Sequence, residues 1–348
     1  MGVFVTGFRG HSLKARIGPK ICGSELFGRG YLLSLGVDIG GTKILAGAVD
    51  PSGEVVAERR VASPAQNPDQ MINTVCNLID EVISEVGEVA AIGVAAAGFM
   101  NLERTKVLYA PNLNWRNEPL QQRISNQIGR PVIIENDANA AGWAEFRFGA
   151  GKNFRSMTML TLGTGVGGAV VENGALLRGG FGIGAELGHI TVVQNGLPCG
   201  CGRTGCLEQY ASGTALLRSA VELADSDNPL GVRLKELKKQ TGDLTGHQAY
   251  QAVIEGDEGA QLLVRNTAEY LASAMASLVA VLDPEVFVIG GGLSELGDHL
   301  LKPLREGLKK QLPAAGFRPE AQVLIAEFSN HAGVIGAAEL ARESAAKL

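Results

Sequence analysis

Tyr-Leu-Leu-Ser-Leu-Gly-Val, residues 31–37, together with the run that follows it, is the stretch that decides the fold. Its apolar residues predict a buried β-strand, and residues 44–49 predict a second one. Between them Asp38-Ile39-Gly40-Gly41-Thr42-Lys43 predicts a hairpin with bare backbone N–H groups. Such a turn can cradle phosphate, with Asp38 left to hold a divalent cation. The Walker pattern is absent, and an ordinary glycine hairpin explains the same residues.

The same arrangement occurs a second time. Residues 157–162 predict a strand, Gly163-Thr164-Gly165-Val166-Gly167-Gly168 predicts a turn, and residues 169–171 continue as a strand. Two halves that each begin with a strand, a glycine turn and a second strand indicate a duplicated α/β domain. A nucleotide bound between the halves would then meet one glycine turn from each.

The rest of the chain alternates predicted strands and helices, as an α/β fold requires. The first half contains strands at 31–38, 44–50, 54–62, 89–97 and 131–134, and helices at 69–86, 119–128 and 139–148. The second half contains helices near 213–224, 229–240, 247–255, 257–282, 298–311 and 332–345, and strands at 286–289 and 322–326. We predict an N-terminal α/β domain over 31–148, joined by a C-terminal helix from 332–348, and a C-terminal α/β domain over 149–331. Residues 1–30 are glycine-rich without a helix or strand period, and we interpret them as a flexible extension or an artefact of start-site choice.

A cysteine cluster predicts a metal site. The chain has five cysteines, and three of them lie within eight residues, in the pattern His189-x9-Cys199-x-Cys201-x4-Cys206. Three thiolates and one imidazole form the closed tetrahedral set that structural zinc prefers. Glu186 and Glu208 flank the cluster, and zinc does not need them. This surplus suggests that the loop held by the metal also binds another molecule.

Composition excludes several other classes of protein. Hydrophobic residues make up 45%, charged residues 19% and aromatic residues 5%, with a net charge of −5. Such a chain lacks the basic face and aromatic platforms of nucleic-acid binders. No run approaches the ~18 consecutive apolar residues of a membrane span, and residues 1–30 do not resemble a signal peptide. Because free thiols suit a reducing compartment, we expect a cytoplasmic location.

Taken together, these motifs resemble the ROK family of repressors, open reading frames and sugar kinases. The resemblance covers about residues 33–345 and rests on residues 38–43, residues 135–139, the run from Leu162 through Gly188-His189, and the cysteine cluster. Ala110-Pro111-Asn112-Leu113-Asn114-Trp115 is similar to the ATP-dependent glucokinases of that family in their actinobacterial form. The fold implied is the actin-like ATPase type, with two RNase-H-like α/β domains around a cleft. The chain departs from the family at its N-terminus, since family glucokinases usually begin near the first strand.

The resemblance also implies roles for individual residues. Asp137 would be the general base, with helix capping as the alternative role. The other expected sugar contacts are Asn112, Asn136, Asp137 itself, Glu186, His189 and Glu208. The nucleotide would be bound by Asp38, Gly40, Gly41, Thr42, Gly163, Thr164, Gly165 and, on the adenosine side, Gly291. Magnesium would arrive with ATP near Asp38, and zinc would be structural on His189, Cys199, Cys201 and Cys206. Lys43 remains unassigned.

The activity we expect is ATP-dependent phosphorylation of D-glucose to glucose 6-phosphate by a homodimer or homotetramer. A kinase for N-acetylglucosamine, N-acetylmannosamine or mannose is the first alternative, because a few pocket residues decide the sugar. A sugar-responsive ROK regulator would need a helix-turn-helix domain before Asp38, and only about thirty residues without helical period precede that strand. Polyphosphate-dependent relatives typically lack the cysteine cluster.

Overall fold

A computed structural model describes residues 33–110 and 113–347, so the predicted N-terminal extension and Asn112 lie outside the described residues. Thirteen strands and ten α-helices occur in these ranges. The strands are β1 (Leu33–Ile39), β2 (Lys43–Val49), β3 (Val55–Ala62), β4 (Val89–Ala96), β5 (Phe99–Met100), β6 (Val107–Ala110), β7 (Trp115–Glu118), β8 (Ile133–Asn136), β9 (Met157–Leu162), β10 (Val166–Glu172), β11 (Ala175–Leu176), β12 (Val286–Gly290) and β13 (Gln322–Ile325). The helices are α1 (Pro68–Val86), α2 (Leu120–Ile128), α3 (Asp137–Arg147), α4 (Glu208–Ala211), α5 (Gly213–Asp225), α6 (Val232–Thr241), α7 (Gly246–Ile254), α8 (Glu258–Leu282), α9 (Asp298–Gln311) and α10 (Ala332–Ala345).

Two five-stranded sheets repeat one topology. The first has the order β3-β2-β1-β4-β8, and the second has the order β11-β10-β9-β12-β13. In each sheet an antiparallel hairpin, β1–β2 or β9–β10, is followed by strands that run parallel to its first member. This repeat agrees with the duplicated α/β unit predicted from the two glycine turns, and the mixed α/β architecture is that of an actin-like ATPase fold.

Helices α3 and α10 pack closely on both sheets through glycines. A Cβ on Gly36 of β1 would lie 1.9 Å from the carbonyl oxygen of Val334, and one on Gly93 of β4 would lie 2.0 Å from that of Ala337. On the other side, a Cβ on Gly142 of α3 would meet the side chain of Ala169 in β10 at 2.3 Å. Each contact needs a residue without a side chain, which explains part of the high glycine content.

The predicted elements match most of the observed ones to within one or two residues, and the differences are informative. The predicted strand 131–134 is observed at β8, two residues later. The predicted helix 139–148 begins at Asp137, because the Asn136 side chain caps it by accepting a hydrogen bond from the amide of Asn139 at 3.0 Å. The three-stranded sheet β5-β6-β7 was not predicted, since its strands have only two to four residues.

The described residues form one compact unit by their contacts, so the division into domains 31–148 and 149–331 stays a prediction. The C-terminal helix of that prediction corresponds to α10, which packs on β1, β4 and α3. Among the described residues, no helix has the length and apolar character needed to cross a membrane.

Candidate active site

Two aspartates lie at the carboxyl ends of parallel strands in the first sheet. Asp38 is the penultimate residue of β1, and Asp137 follows the last residue of β8. Asp38 pairs with Ala95 of β4, which in turn pairs with Glu135 of β8, so the strand ends are in register. The carboxyl edge of parallel strands is where α/β folds place their ligands, and both side chains are partly open to solvent there.

The electrostatics show that a third carboxylate belongs to the same group. Burial raises the pKa of Asp38 to about 7; the charge of Asp137 adds to this increase, and Lys43 opposes it. Burial likewise raises the pKa of Glu186 to about 7, with the charges of Asp137 and Glu208 adding to it. Since charges act strongly only at short range, Asp137 lies near both Asp38 and Glu186. Burial raises the pKa of Asp137 as well, against hydrogen bonds from backbone N–H groups.

Asn136 and Glu208 already have protein partners. The Asn136 side chain caps α3 through Oδ1 and donates from Nδ2 to the carbonyl oxygen of Gly98 at 3.1 Å. Glu208 begins helix α4, and its Oε2 accepts from the amide of Val166, at the end of the second glycine turn, at 3.0 Å. An amide group and a carboxylate each retain further hydrogen-bonding capacity, so both residues can still contact a hydroxyl-rich ligand.

Both glycine turns present free amides, as their sequences predict. In the first, the Gly40 amide donates to the carbonyl oxygen of Lys43 at 3.0 Å; in the second, the Gly163 amide donates to the carbonyl oxygen of Gly165 at 3.0 Å. Four other amides have no partner within the described chain: Gly41, Thr42, Thr164 and Gly165. Pairs of adjacent free amides form concavities that suit anions.

A cavity of about 560 Å³ adjoins the second turn. Its lining includes Thr164, Gly292 and Tyr250, and its volume suits a nucleoside. Gly291 borders this region with a φ of 80°, and a Cβ there would lie 2.6 Å from the backbone of Leu162. Sequence reasoning found the glycines but missed the other lining residues, Thr214, Leu217, His247, Tyr250, Leu293 and Glu295, because isolated residues on helices carry no motif.

The geometry of the cysteine cluster fits zinc. The ligand atoms of His189, Cys199, Cys201 and Cys206 all lie within 4.8 Å of one another. Nδ1 of His189 is 3.7 Å from Sγ of Cys199, and the sulfurs of Cys201 and Cys206 are 3.6 Å apart. Two ligands about 2.3 Å from one tetrahedral ion would be about 3.8 Å apart, so these spacings suit a tetrahedral ion. The other ring nitrogen of His189, Nε2, is left for a different contact.

Lys43, for which we predicted no role, has a hydrogen-bond partner in the structure. The Nζ atom of Lys43 donates to Oδ1 of Asn330 at 2.8 Å, beside the first glycine turn. Lys43 is the first residue of β2, directly after the turn. Its hydrogen bond holds the side chain toward the short helix Ser329–His331, which precedes α10.

Comparisons with known proteins agree with this geometry. The model of the ROK family matches residues 34–344. A glucokinase of Streptomyces coelicolor is 42% identical over 313 residues, which cover 89% of this chain and 98% of the relative.

Two solved structures are similar over nearly the same length. One is a ROK family glucokinase from Streptomyces griseus in complex with glucose and AMPPNP; it is 42% identical with a TM-score of 0.81, covering 89% of this chain and 99% of that one. The other is a ROK hexokinase from Thermus thermophilus, 31% identical with a TM-score of 0.73, covering 91% of this chain and 100% of that one. With the paired glycine turns, the converging carboxylates and the Cys3His cluster, these similarities establish that the chain belongs to the ROK family.

Proposed function

We propose that this protein is a glucokinase that transfers the γ-phosphoryl group of ATP to the 6-hydroxyl of D-glucose. One observation carries the proposal: Asp137 lies at the same carboxyl edge of the first sheet as Asp38, beside the first phosphate-binding turn, and its charge also acts on Glu186 in the loop of the cysteine cluster. A base between a phosphate site and a sugar site is what phosphoryl transfer to a sugar requires. Relatives named glucokinase at 42% identity support the choice of glucose.

Asp137 serves as the general base in this mechanism. Its carboxylate accepts the proton of the 6-hydroxyl while the oxygen attacks the γ-phosphorus and ADP leaves. Burial raises the pKa of Asp137, so its carboxylate is a stronger proton acceptor than an exposed one. The hydrogen bond from the amide of Ala138 to Oδ1, at 2.9 Å, fixes the orientation of the carboxylate.

The sugar lies, in this proposal, between the first residues of α3 and the loop of the cysteine cluster. Glu186 and Glu208 accept hydrogen bonds from hydroxyls remote from the transferred phosphate, and Asn136 contacts a neighbouring hydroxyl with its remaining capacity. His189 offers Nε2 to the sugar when Nδ1 binds zinc, as metal-bound histidines commonly use their second nitrogen. We also propose a sugar contact for Asn112.

ATP occupies the cavity beside the second turn with its phosphates toward the free amides of both turns. Asp38 would hold the magnesium ion that accompanies ATP through water, because magnesium gives up its water ligands reluctantly. His189 and the three cysteines would hold zinc, which would stabilise the loop, and four protein ligands would leave it no open position. We propose in addition a homodimer or homotetramer, to be checked by light scattering of the purified protein.

A coupled assay across sugars and phosphoryl donors tests the proposal. Glucose, mannose, N-acetylglucosamine and N-acetylmannosamine are each offered with ATP, and glucose is also offered with polyphosphate. We expect the highest kcat/KM for glucose with ATP. If another hexose has a higher kcat/KM than glucose, that hexose is the preferred substrate. No turnover with any of the sugars would contradict the kinase assignment.

A further inference from the structure

Glu135, two residues before the proposed base, is a buried carboxylate shared by two arginines. Its side chain is 2% exposed. Oε2 accepts from both Nε and Nη2 of Arg178 at 2.8 Å, and Oε1 lies 3.1 Å from Nη2 of Arg104. Oε1 also accepts from the amide of Asn136 at 2.9 Å and from Nδ2 of Asn139 at 3.1 Å. This carboxylate therefore fixes both the end of β8 and the first turn of α3.

The two arginines come from different parts of the fold. Arg104 belongs to the β5–β6 loop, next to the first sheet, and Arg178 follows β11 at the edge of the second sheet. Neither arginine touches the described part of the site that we assign to nucleotide or sugar. Glu135 is thus the point at which segments attached to both sheets meet.

The same arginines hold the loop that carries Glu186. The carbonyl oxygen of Arg178 accepts from the amide of Gly184 at 2.9 Å, which closes the loop on itself. Nη1 of Arg104 donates to the carbonyl oxygen of Gly182 at 3.2 Å. Gly182 also packs so closely on the β5–β6 loop that a Cβ would lie 2.6 Å from the amide nitrogen of Leu102.

We propose that Arg104 and Arg178 are positioning residues that, through Glu135, hold the Asp137 base and the Glu186 loop in one catalytic arrangement. This Arg104–Glu135–Arg178 latch rests on the proposed function for the roles of Asp137 and Glu186. A buried carboxylate with several charge-assisted hydrogen bonds is geometrically rigid. Such rigidity matters because a displacement of about 1 Å in a reacting group can cost about 10²-fold in rate.

The test is Arg178→Met, which removes the guanidinium and keeps much of the apolar stem. Arg178 is 35% exposed and Glu135 keeps Arg104, so we expect the variant to fold. We expect kcat to fall about 10- to 100-fold and the KM for glucose to rise, while the KM for ATP stays within about twofold of wild type. Arg178→Lys, which restores the charge without the two-nitrogen contact, should recover part of the lost kcat.

Arg147→Met is the matched control. Arg147 is also a half-exposed arginine that pairs, at 3.0 Å, with a nearly buried glutamate, Glu339, which a second arginine, Arg342, also contacts. That cluster joins the end of α3 to α10 and touches neither Glu135 nor the Glu186 loop. We expect Arg147→Met to keep the wild-type kcat and both KM values.

Amide hydrogen exchange of residues 135–139 and 178–186 gives a readout independent of activity. The latch predicts faster exchange in both segments for Arg178→Met and unchanged exchange there for Arg147→Met. Wild-type kcat and exchange in Arg178→Met would overturn the latch, as would equal losses of kcat in both methionine variants. If Arg178→Met does not fold, Arg178→Lys is judged by the same criteria. If the wild type phosphorylates no sugar, the proposed function is wrong, and the exchange comparison still decides whether the latch exists.

Discussion

At the scale of single residues, the behaviour of the site depends on what surrounds its carboxylates. Asp38, Asp137 and Glu186 are ordinary acids in sequence, but burial raises the pKa of all three. Asp137 starts α3 at the edge of the first sheet, and its charge acts on both of the other carboxylates, which is why we assign it the proton. The neighbouring Asn136 caps α3, so it supports the position of the base in addition to the sugar contact that we propose for it.

Asp137→Asn tests the base directly. The amide keeps the shape and hydrogen bonding of the side chain but cannot accept the proton. We expect kcat to fall about 10²- to 10⁴-fold while glucose still binds. Steady-state kinetics give kcat, and calorimetric titration with glucose gives the affinity. Glu186→Gln is the comparison, and we expect it to weaken glucose binding more than it slows turnover. If Asp137→Asn keeps a near-normal kcat, another residue is the base.

Asp38→Asn is expected to make stability less dependent on pH. The folded-state pKa of Asp38, about 7, lies above the ordinary value of 3.8, so the folded state binds more protons between these values. Asp38 therefore makes a stabilising contribution to the free energy of unfolding at low pH, and this contribution is lost as the pH rises toward 7. Thermal melts without ligand should show the variant gaining stability over wild type from pH 5 to pH 8. A constant difference across that range would contradict the raised pKa.

At the scale of elements, the loop of the cysteine cluster shows how the local backbone brings possible metal ligands together. Two isolated β-bridges, Thr191 with Cys206 and Pro198 with Thr204, fold the loop back on itself. Gly205 has a φ of 76°, and a Cβ there would lie 1.7 Å from the carbonyl oxygen of Val193. Only glycine fits such a position, and this close approach brings the turn that precedes Gly205 near His189.

Cys201→Ser is expected to lose zinc. The wild-type protein should contain about one zinc per chain, and removing one of four ligands should release most of it and lower Tm, since metal binding contributes to folding free energy. Elemental analysis and thermal melts measure both effects. Cys76→Ala is the control, because Cys76 is buried in α1 away from the cluster, so this variant should keep its zinc. A wild-type protein that is fully active and free of metal would contradict the zinc assignment.

At the scale of the whole molecule, α3 and α10 connect the two sheets. Helix α10 packs on the first sheet, α3 packs on β10 of the second, and the two helices cross where Gly336 meets Ala140. A Cβ on Gly336 would lie 1.7 Å from the carbonyl oxygen of Ala140, so the helices contact through their backbones. Asp137, the proposed base, is the first residue of α3, so it stands on one of the two helices that connect the sheets.

Gly336→Ala should therefore destabilise the protein although alanine favours helices. The backbone cannot yield as a flexible side chain can, and overpacking typically costs about 1–3 kcal/mol. Chemical denaturation measures the free energy of unfolding. Gly246→Ala is the matched control, since Gly246 is also helical but has no atom within 4 Å of an added Cβ, so we expect its stability to be unchanged or slightly higher. An unaffected Gly336→Ala would mean that the two helices can separate without cost.

The sequence by itself determined the features that depend on local spacing. Apolar runs and the two glycine turns predicted the paired sheets, and the interval from His189 to Cys206 predicted the metal ligands. Helices α9 and α10 were predicted at their observed bounds; in α9 the buried leucines recur at helical spacing and Gly297 precedes the first turn. The sugar contact predicted for Asn112 concerns a residue outside the described ranges.

Only the tertiary structure decided what depends on segments distant in the chain. It brought Arg104 and Arg178 onto Glu135, gathered isolated residues such as Tyr250 around the nucleoside-sized cavity, and brought Asp137 to the same sheet edge as Asp38. It also formed the short sheet β5-β6-β7, whose strands carry too little pattern to be recognised. The local spacing of residues in the sequence is enough to predict helices, turns and ligand positions. Long-range ion pairs and burial arise only when the sheets and helices pack.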